Sequence, residues 1–334
     1  MRNLVTLALV FFGFVAEAQE WEDYQVFNAG ADNSLRIISS TDTDLFAPLI
    51  QRFTAENPKI TIEYFVTGTA DIDTIFRHNP GDYDIVISSA MDLQLKLTND
   101  GKALFLETIT HQPWAQWRQS LFAFTSEPAA IVINKRAFTD LPTPKSRQDL
   151  IKAIRNRPDI FRSKIGTYDI RSSGLGYLFA TQDSRASETY WRLTEVMGGL
   201  DVQLYCCSGD MIDDLTDGTI AVAYNVLGSY AEARVENGDL FEIIDLSDFE
   251  TTMMRTALVS AETKEPQAAA SFIQDLIDHQ SSPRTIQQTL PALTTDQNRV
   301  DRGAIALEPA LMTFLDNLKR SKFIEEWQSA IIQD

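Results

Sequence analysis

Cysteine is nearly missing from this chain: its 334 residues include two, and those two are neighbours, Cys206-Cys207. A disulfide between neighbours closes a strained ring, whereas ordinary bridges span Cα atoms about 4.4–6.8 Å apart. Spacing therefore favours separate thiols on a strand over a bridge, and leaves their role open. Adjacent strand side chains point to opposite faces and no histidine lies near, so no metal site is expected there. The three histidines, His78, His111 and His279, are scattered through polar stretches. Positive charge is in deficit, with 29 Lys and Arg against 47 Asp and Glu and a net charge of −18. That balance argues against nucleic acid, which demands a basic footprint, and against adhesion to anionic lipid. Catalytic signatures are missing too: no Gly-x-Ser-x-Gly, Gly-x-x-x-x-Gly-Lys, Gly-x-Gly-x-x-Gly or His-Glu-x-x-His occurs. No catalytic residue, metal ligand or cofactor is nominated, and the chain is read as a binder rather than an enzyme. With 15 Gly and 12 Pro there is no room for a long flexible linker.

Apolar material is ample. The 19 Phe, 9 Tyr and 5 Trp exclude a disordered chain, and the length favours two compact units. Arg2, the apolar run Leu4–Val15 and Ala16-Glu17-Ala18 have the pattern of a cleavable signal peptide, residues 1–18. The run is too short to span a bilayer of about 30 Å comfortably, and no second run of about 20 apolar residues follows. Without a Cys at the cleavage point, a free protein in an oxidising compartment is expected, a bacterial periplasm.

From residue 35 onward, strands alternate with helices. Leu35–Ser39, Ile60–Val66 and Asp84–Ile87 read as strands, and Leu45, Phe46, Leu49, Ile50 and Phe53 mark the first helix, stopped at Asn57-Pro58. After an apolar strand at Ala129–Asn134 and a Pro-rich turn, a second alternating set follows. It comprises helices at 146–156, 186–198 and 208–217 and strands at Lys164–Tyr168, Val202–Cys206 and Ile220–Asn225. Strand Thr256–Ser260 and helices 266–279, 283–290 and 308–332, broken around Ser321, complete the chain. This order indicates an α/β fold of doubly wound sheets with helices on both faces. The aromatic stripe Trp114, Trp117, Leu121, Phe122 and Phe124 has near-helical spacing and reads as core, with a sugar-stacking surface as the minor alternative.

The chemistry sits where strands hand over to helices. Ser40 and Thr41, Ser88 and Ser89, and Ser172, Ser173 and Gly174 occupy such turns, which lie at the carboxyl ends of strands, where open α/β sheets bind ligands. Helix starts offer unpaired N–H groups and a positive dipole end, although Ser and Thr are also ordinary caps. Arg171 adds a planar fork of donors suited to carboxylate or phosphate, or pairs with a surface acid. Asn225 and Tyr230 flank a strand end and suit a cleft wall. Arg255, Arg77-His78 and Tyr224 are weaker candidates.

In sequence the chain resembles the type II periplasmic solute-binding proteins of ABC transporters, in the branch of ferric-ion binders and phosphoglycerate-type regulatory proteins. The resemblance is carried by Tyr83–Ala90, Glu127–Lys135, Gly166-Thr167-Tyr168 leading to Ser172-Ser173-Gly174, Tyr224–Tyr230, and Thr256–Ser260 followed by Glu265–Ile273. It implies two lobes joined by crossing strands: residues 35–126 with 249–334 as lobe 1, 127–248 as lobe 2, and 19–34 as an amino-terminal extension. The hinge would lie near Phe124–Ala130 and Phe249–Arg255. A monomer closing over a small solute and delivering it to an inner-membrane permease is implied, or one reporting to the periplasmic domain of a sensor histidine kinase. Iron binders present two adjacent tyrosines, whereas here only Tyr230 is plainly placed. The ligand expected is a small anion, a phosphorylated metabolite or carboxylate, with ferric ion as the alternative.

Overall fold

The computed structural model describes residues 21–234, 240–244, 246–281, 289–293 and 303–333. The signal peptide, most of the expected helix 283–290 and residues 294–302 lie outside the described residues. Among those described, no helix is long and apolar enough to cross a membrane.

The first lobe opens with strand β1 (Asp23–Phe27) and continues through β2 (Asn33–Ser39), α1 (Thr43–Glu56), β3 (Ile60–Val66), α2 (Thr69–His78), β4 (Ile85–Ser88) and α3 (Met91–Asn99). Strands β2, β3 and β4 pair in parallel. Their burial explains their composition: Leu35, Ile37, Ile62, Ile85 and Ile87 are wholly enclosed, as strands covered on both faces must be. Residues 19–34 form no extension where they are described. β1 pairs antiparallel along β3, Asp23 against Val66 through Phe27 against Ile62, as the edge of the sheet. The aromatic stripe is no helix either; it folds as β5 (Gln116–Trp117) and β6 (Leu121–Ala123), with Phe122 and Phe124 in the core.

β7 (Glu127–Asn134) crosses into the second lobe. There the chain builds α4 (Arg147–Asn156), α5 (Pro158–Phe161), β8 (Ile165–Tyr168), α6 (Gly174–Ala186), α7 (Thr189–Gly198), β9 (Gln203–Tyr205), α8 (Ser208–Asp217), β10 (Val222–Leu227), α9 (Gly228–Glu232) and β11 (Phe241–Ile244). The sheet order is β11-β7-β10-β8-β9. β12 (Thr252–Met253) returns beside the start of β7, and β13 (Thr256–Val259) closes the first sheet between β4 and β6. α10 (Pro266–Gln280) covers that sheet.

The last helix, α11 (Asn317–Ile331), corrects the division drawn from the sequence. Its buried Phe323, Trp327 and Ile331 join the core of the second lobe, with Phe323 against Tyr177 and Trp191 at ring-centroid distances of 5.7 and 5.4 Å. A 3-10 segment, Pro309–Leu315, precedes it and places Leu311 in the first lobe's core. The chain therefore crosses between lobes a third time near residue 316. The break falls there because Asp316 caps α11, accepting the N–H of Lys319 at 3.2 Å.

Candidate functional site

Between the lobes, the turns that follow the parallel strands converge. The cavity they enclose is lined from the first lobe by Glu22, Ser40, Asp42, Thr67, Gly68, Thr69 and Ser89. From the second lobe come Tyr168, Leu175, Cys206, Cys207, Ser208, Leu227 and Tyr230, and Arg255, between β12 and β13, closes the floor. The space is narrow, about 30 Å³, and the lobes are drawn together around it. At the rim it broadens into an open depression of about 410 Å³ bordered by Glu22, Asp23, Asp42, Asp44, Asp210 and the two cysteines. Two wider depressions, along Leu104–Ile109 and between α7 and α11, are open surface features. Neither gathers the strand-end turns of both lobes.

Helix starts ring the cavity: Asp42 precedes α1, Gly68 precedes α2, Cys207 precedes α8 and Leu227 precedes the short α9. The main-chain N–H of Ser89, just before α3, donates to Ser40 Oγ at 3.3 Å and ties two of these turns together. Such ends present partial positive charge and donors to whatever lies between them.

Arg255 is wholly buried and makes a two-pronged pair with Glu127, Nε to Oε1 at 3.0 Å and Nη2 to Oε2 at 3.2 Å. Its Nη1 donates to Thr41 Oγ1 at 2.6 Å. Glu127 is further held by the hydroxyls of Thr125 and Ser229 at 2.8 and 2.7 Å. Burial opposes the charge of Arg255, but Glu127 overrides it and the guanidinium stays protonated. These groups span both crossing strands and both lobes, so the network lies at the hinge and floors the cavity at once.

Direct bonds also join the lobes. Tyr230 donates its hydroxyl to Asp42 Oδ1 at 3.0 Å, and the N–H of Leu175 donates to Thr69 Oγ1 at 3.1 Å. At the rim, burial pushes the Asp42 carboxyl above its ordinary range, against the pull of Tyr230 and Arg255. Glu22 rises for the same reason, helped by the charges of Asp42 and Asp210. Burial likewise lifts the Tyr230 and Tyr168 phenols well above theirs.

The residues nominated from the sequence separate into groups. Ser40, Ser89 and Tyr230 line the cavity. Thr41 and Ser88 lie beneath it, Thr41 holding Arg255 and Ser88 accepting from the N–H of Ala90 at 3.1 Å. Ser173 caps α6, accepting from Gly176 N–H at 3.1 Å. Gly174 packs the start of that helix onto the first lobe, where a Cβ would meet Leu93 at 3.0 Å and Thr69 at 3.2 Å. Arg171 and Ser172 do not line the cavity. Both are exposed, and Arg171 is folded back on Asp169, with Nε to Oδ1 at 2.7 Å and Nη2 to Oδ2 at 2.5 Å. Asn225 is turned into the second lobe, donating to Asp183 Oδ2 at 2.8 Å within a buried cluster of Arg147, Tyr224 and Thr251. Its backbone has φ +61°, a conformation Asn tolerates better than most residues.

Arg255, a weaker candidate in the sequence, lines the cavity, as do Asp42, Glu22 and Tyr168, which are not among the nominated ligand residues. A lone Arg leading into an apolar strand was the available signal for the first. Cys206 and Cys207 are not separate thiols: they are joined to each other, with Cα atoms 3.8 Å apart. They occupy the turn between β9 and α8 rather than a strand.

A two-lobed solute-binding protein is the class this fold and cleft define. The chain is similar to a substrate-binding protein of an ABC transporter from Agrobacterium tumefaciens, with 30% identity, 92% of this chain and 98% of that one covered, and a TM-score of 0.86. It belongs to the substrate-binding proteins of ABC transporters. The fold is shared at lower identity by AfuA of Actinobacillus pleuropneumoniae, a periplasmic binding protein with fructose-6-phosphate bound, at 12% identity, 91% and 100% coverage and TM-score 0.70. It is also shared by iron-bound HitA of Pseudomonas aeruginosa, at 14% identity, 89% and 99% coverage and TM-score 0.65. No family model and no curated protein matches the chain.

Proposed function

We propose that this chain captures a small solute bearing one anionic group between its lobes and hands it to an inner-membrane ABC permease. In this reading it works as a monomer in the periplasm after loss of residues 1–18, and it carries out no catalysis. The observation that carries the ligand class is the cavity floor: a buried, permanently charged Arg255 beneath a ring of helix starts and hydroxyls from both lobes. Arg255 spends three of its five N–H groups on Glu127 and Thr41, which leaves donors for an oxygen anion. The acidic rim of Glu22, Asp42 and Asp210 disfavours a second anionic group at the outer end of the solute, so a solute with a single phosphate or carboxylate group suits the site better than a di- or tricarboxylate. Closure then follows by population shift, since a solute touching both lobes favours the closed form.

Tyr168, Tyr230, Asp42 and Glu22 could together offer hard oxygen donors to ferric ion, which is the second reading. Burial holds both phenols protonated and Arg255 adds a like charge, so the anion is preferred. A thermal-shift and calorimetric panel tests both: inorganic phosphate, glycerol 3-phosphate, fructose 6-phosphate, 3-phosphoglycerate, acetate, succinate, citrate and chelated Fe³⁺. A compound with one anionic group at a hundredfold excess over Kd is expected to stabilise the fold by about 2.7 kcal/mol. Stabilisation by Fe³⁺ alone, with visible charge-transfer colour, or by nothing in the panel, overturns the proposal.

A further inference from the structure

The Cys206–Cys207 bridge lies at a place where the second lobe closes on the first. Both cysteines line the narrow cavity and also the acidic depression at its rim. Immediately after them comes the first turn of α8. There Gly209 approaches so closely that a Cβ would lie 3.1 Å from Asp42 Oδ2 of the opposite lobe and 3.8 Å from Tyr230. Ser208 anchors the turn from behind, in contact with Tyr168 Oη at 2.5 Å and accepting from Leu227 N–H at 3.4 Å. Cys206 Sγ sits 3.6 Å from Asp210 Oδ2. The bridge ties two adjacent side chains into one ring, which removes their rotamer freedom and faces both sulfurs to one side. Unlinked, adjacent thiols would turn independently.

We propose that this disulfide is a solute-contacting wall of the interlobe cavity and that its oxidation state sets solute affinity. The inference rests on the reading above that the cavity holds the solute. Oxidised, the bridge offers a fixed, polarisable sulfur face beside the polar donors of the floor, against which a carbon face of the solute packs. An external dithiol reverses this. Two electrons and two protons pass to the sulfurs, the S–S bond breaks, Cys206 and Cys207 become thiols, and the dithiol is left as its own disulfide. The freed thiols lose their common orientation, and the α8 turn that meets Asp42 loses its restraint.

The composition makes the test clean, because the sequence has no other cysteine for a reductant to reach. Inorganic phosphate, fructose 6-phosphate, glycerol 3-phosphate and acetate are titrated into the full chain in three forms: oxidised, dithiothreitol-reduced, and Cys206→Ala/Cys207→Ala. Free-thiol titration confirms each state. The expected result is that at least one of these compounds binds the oxidised protein, and binds the other two forms at least tenfold more weakly while circular dichroism shows the fold intact. Equal affinity for the oxidised and reduced forms overturns the proposal and leaves the solute reading standing. Binding by none of the compounds in any form removes the solute reading and the proposal with it. If the double variant fails to fold, the reduced wild-type chain alone decides.

Discussion

The hydroxyl of Tyr230 donates to Oδ1 of Asp42 at 3.0 Å, and the two residues stand on opposite lobes. One hydrogen bond of this kind contributes about 0.5–1.5 kcal/mol, enough to bias two nearly balanced states. Tyr230→Phe is therefore expected to shift the chain toward an open form, raising the radius of gyration in small-angle scattering and weakening solute binding about three- to tenfold. An unchanged scattering profile would show that the bond does not govern closure.

Gly209→Ala separates local from interlobe effects. Alanine favours a helix over glycine by about 1 kcal/mol, so α8 itself gains. The added methyl must fit beside Asp42 Oδ2 at 3.1 Å, so closure loses. The expected outcome is an unchanged or raised melting temperature together with weaker solute binding. Tighter binding would contradict the contact.

Glu127→Gln leaves Arg255 as a buried cation without a countercharge. Removing one partner of such a pair costs about 3–5 kcal/mol, and denaturant unfolding should register a loss of that size. The same change made at the surface pair of Asp169 and Arg171 is expected to cost under 1 kcal/mol. Accordingly, Arg171→Ala should leave both stability and solute affinity as they were.

Asp92, at the second position of α3, is 2% exposed, and burial pushes its carboxyl up to about 7 against the opposing pull of the Leu93 N–H. Between pH of about 4 and 7 the folded chain keeps a proton that the unfolded chain has released, so this group's contribution to stability falls as pH rises through that window and is level above it. Asp92→Asn should flatten that decline and leave the variant more stable than wild type at pH 8 by about 2–4 kcal/mol. Equal slopes in melting temperature against pH would contradict the assignment.

Much of the architecture was written in short-range pattern. Ile60–Val66 and 208–217 have the bounds expected from periodicity and caps, because a strand buried on both faces needs an unbroken apolar run and an amphipathic helix needs its repeat. What pattern could not convey was partnership over distance. Nothing near Phe323 or Trp327 tells which lobe their rings enter, since either core would bury them. Arg171 looked suited to an anion, yet Asp169 two residues away claims it. Arg255 looked incidental until folding brought it to Glu127, 128 positions earlier. The bridge of Cys206 and Cys207 was unreadable for another reason: the general geometry of disulfides speaks against neighbours, and only the turn before α8 accommodates one.

The final helix carries a consequence for how the molecule can be shortened. Because α11 belongs to the second lobe while the segment before it belongs to the first, its removal would do more than trim a tail. It would bare Tyr177 and Trp191 to water and sever one of the covalent ties across the seam, leaving a sticky, less restrained hinge. An expression clone ending near residue 316 is therefore the wrong minimal unit, and the protein should be handled with its carboxyl end in place.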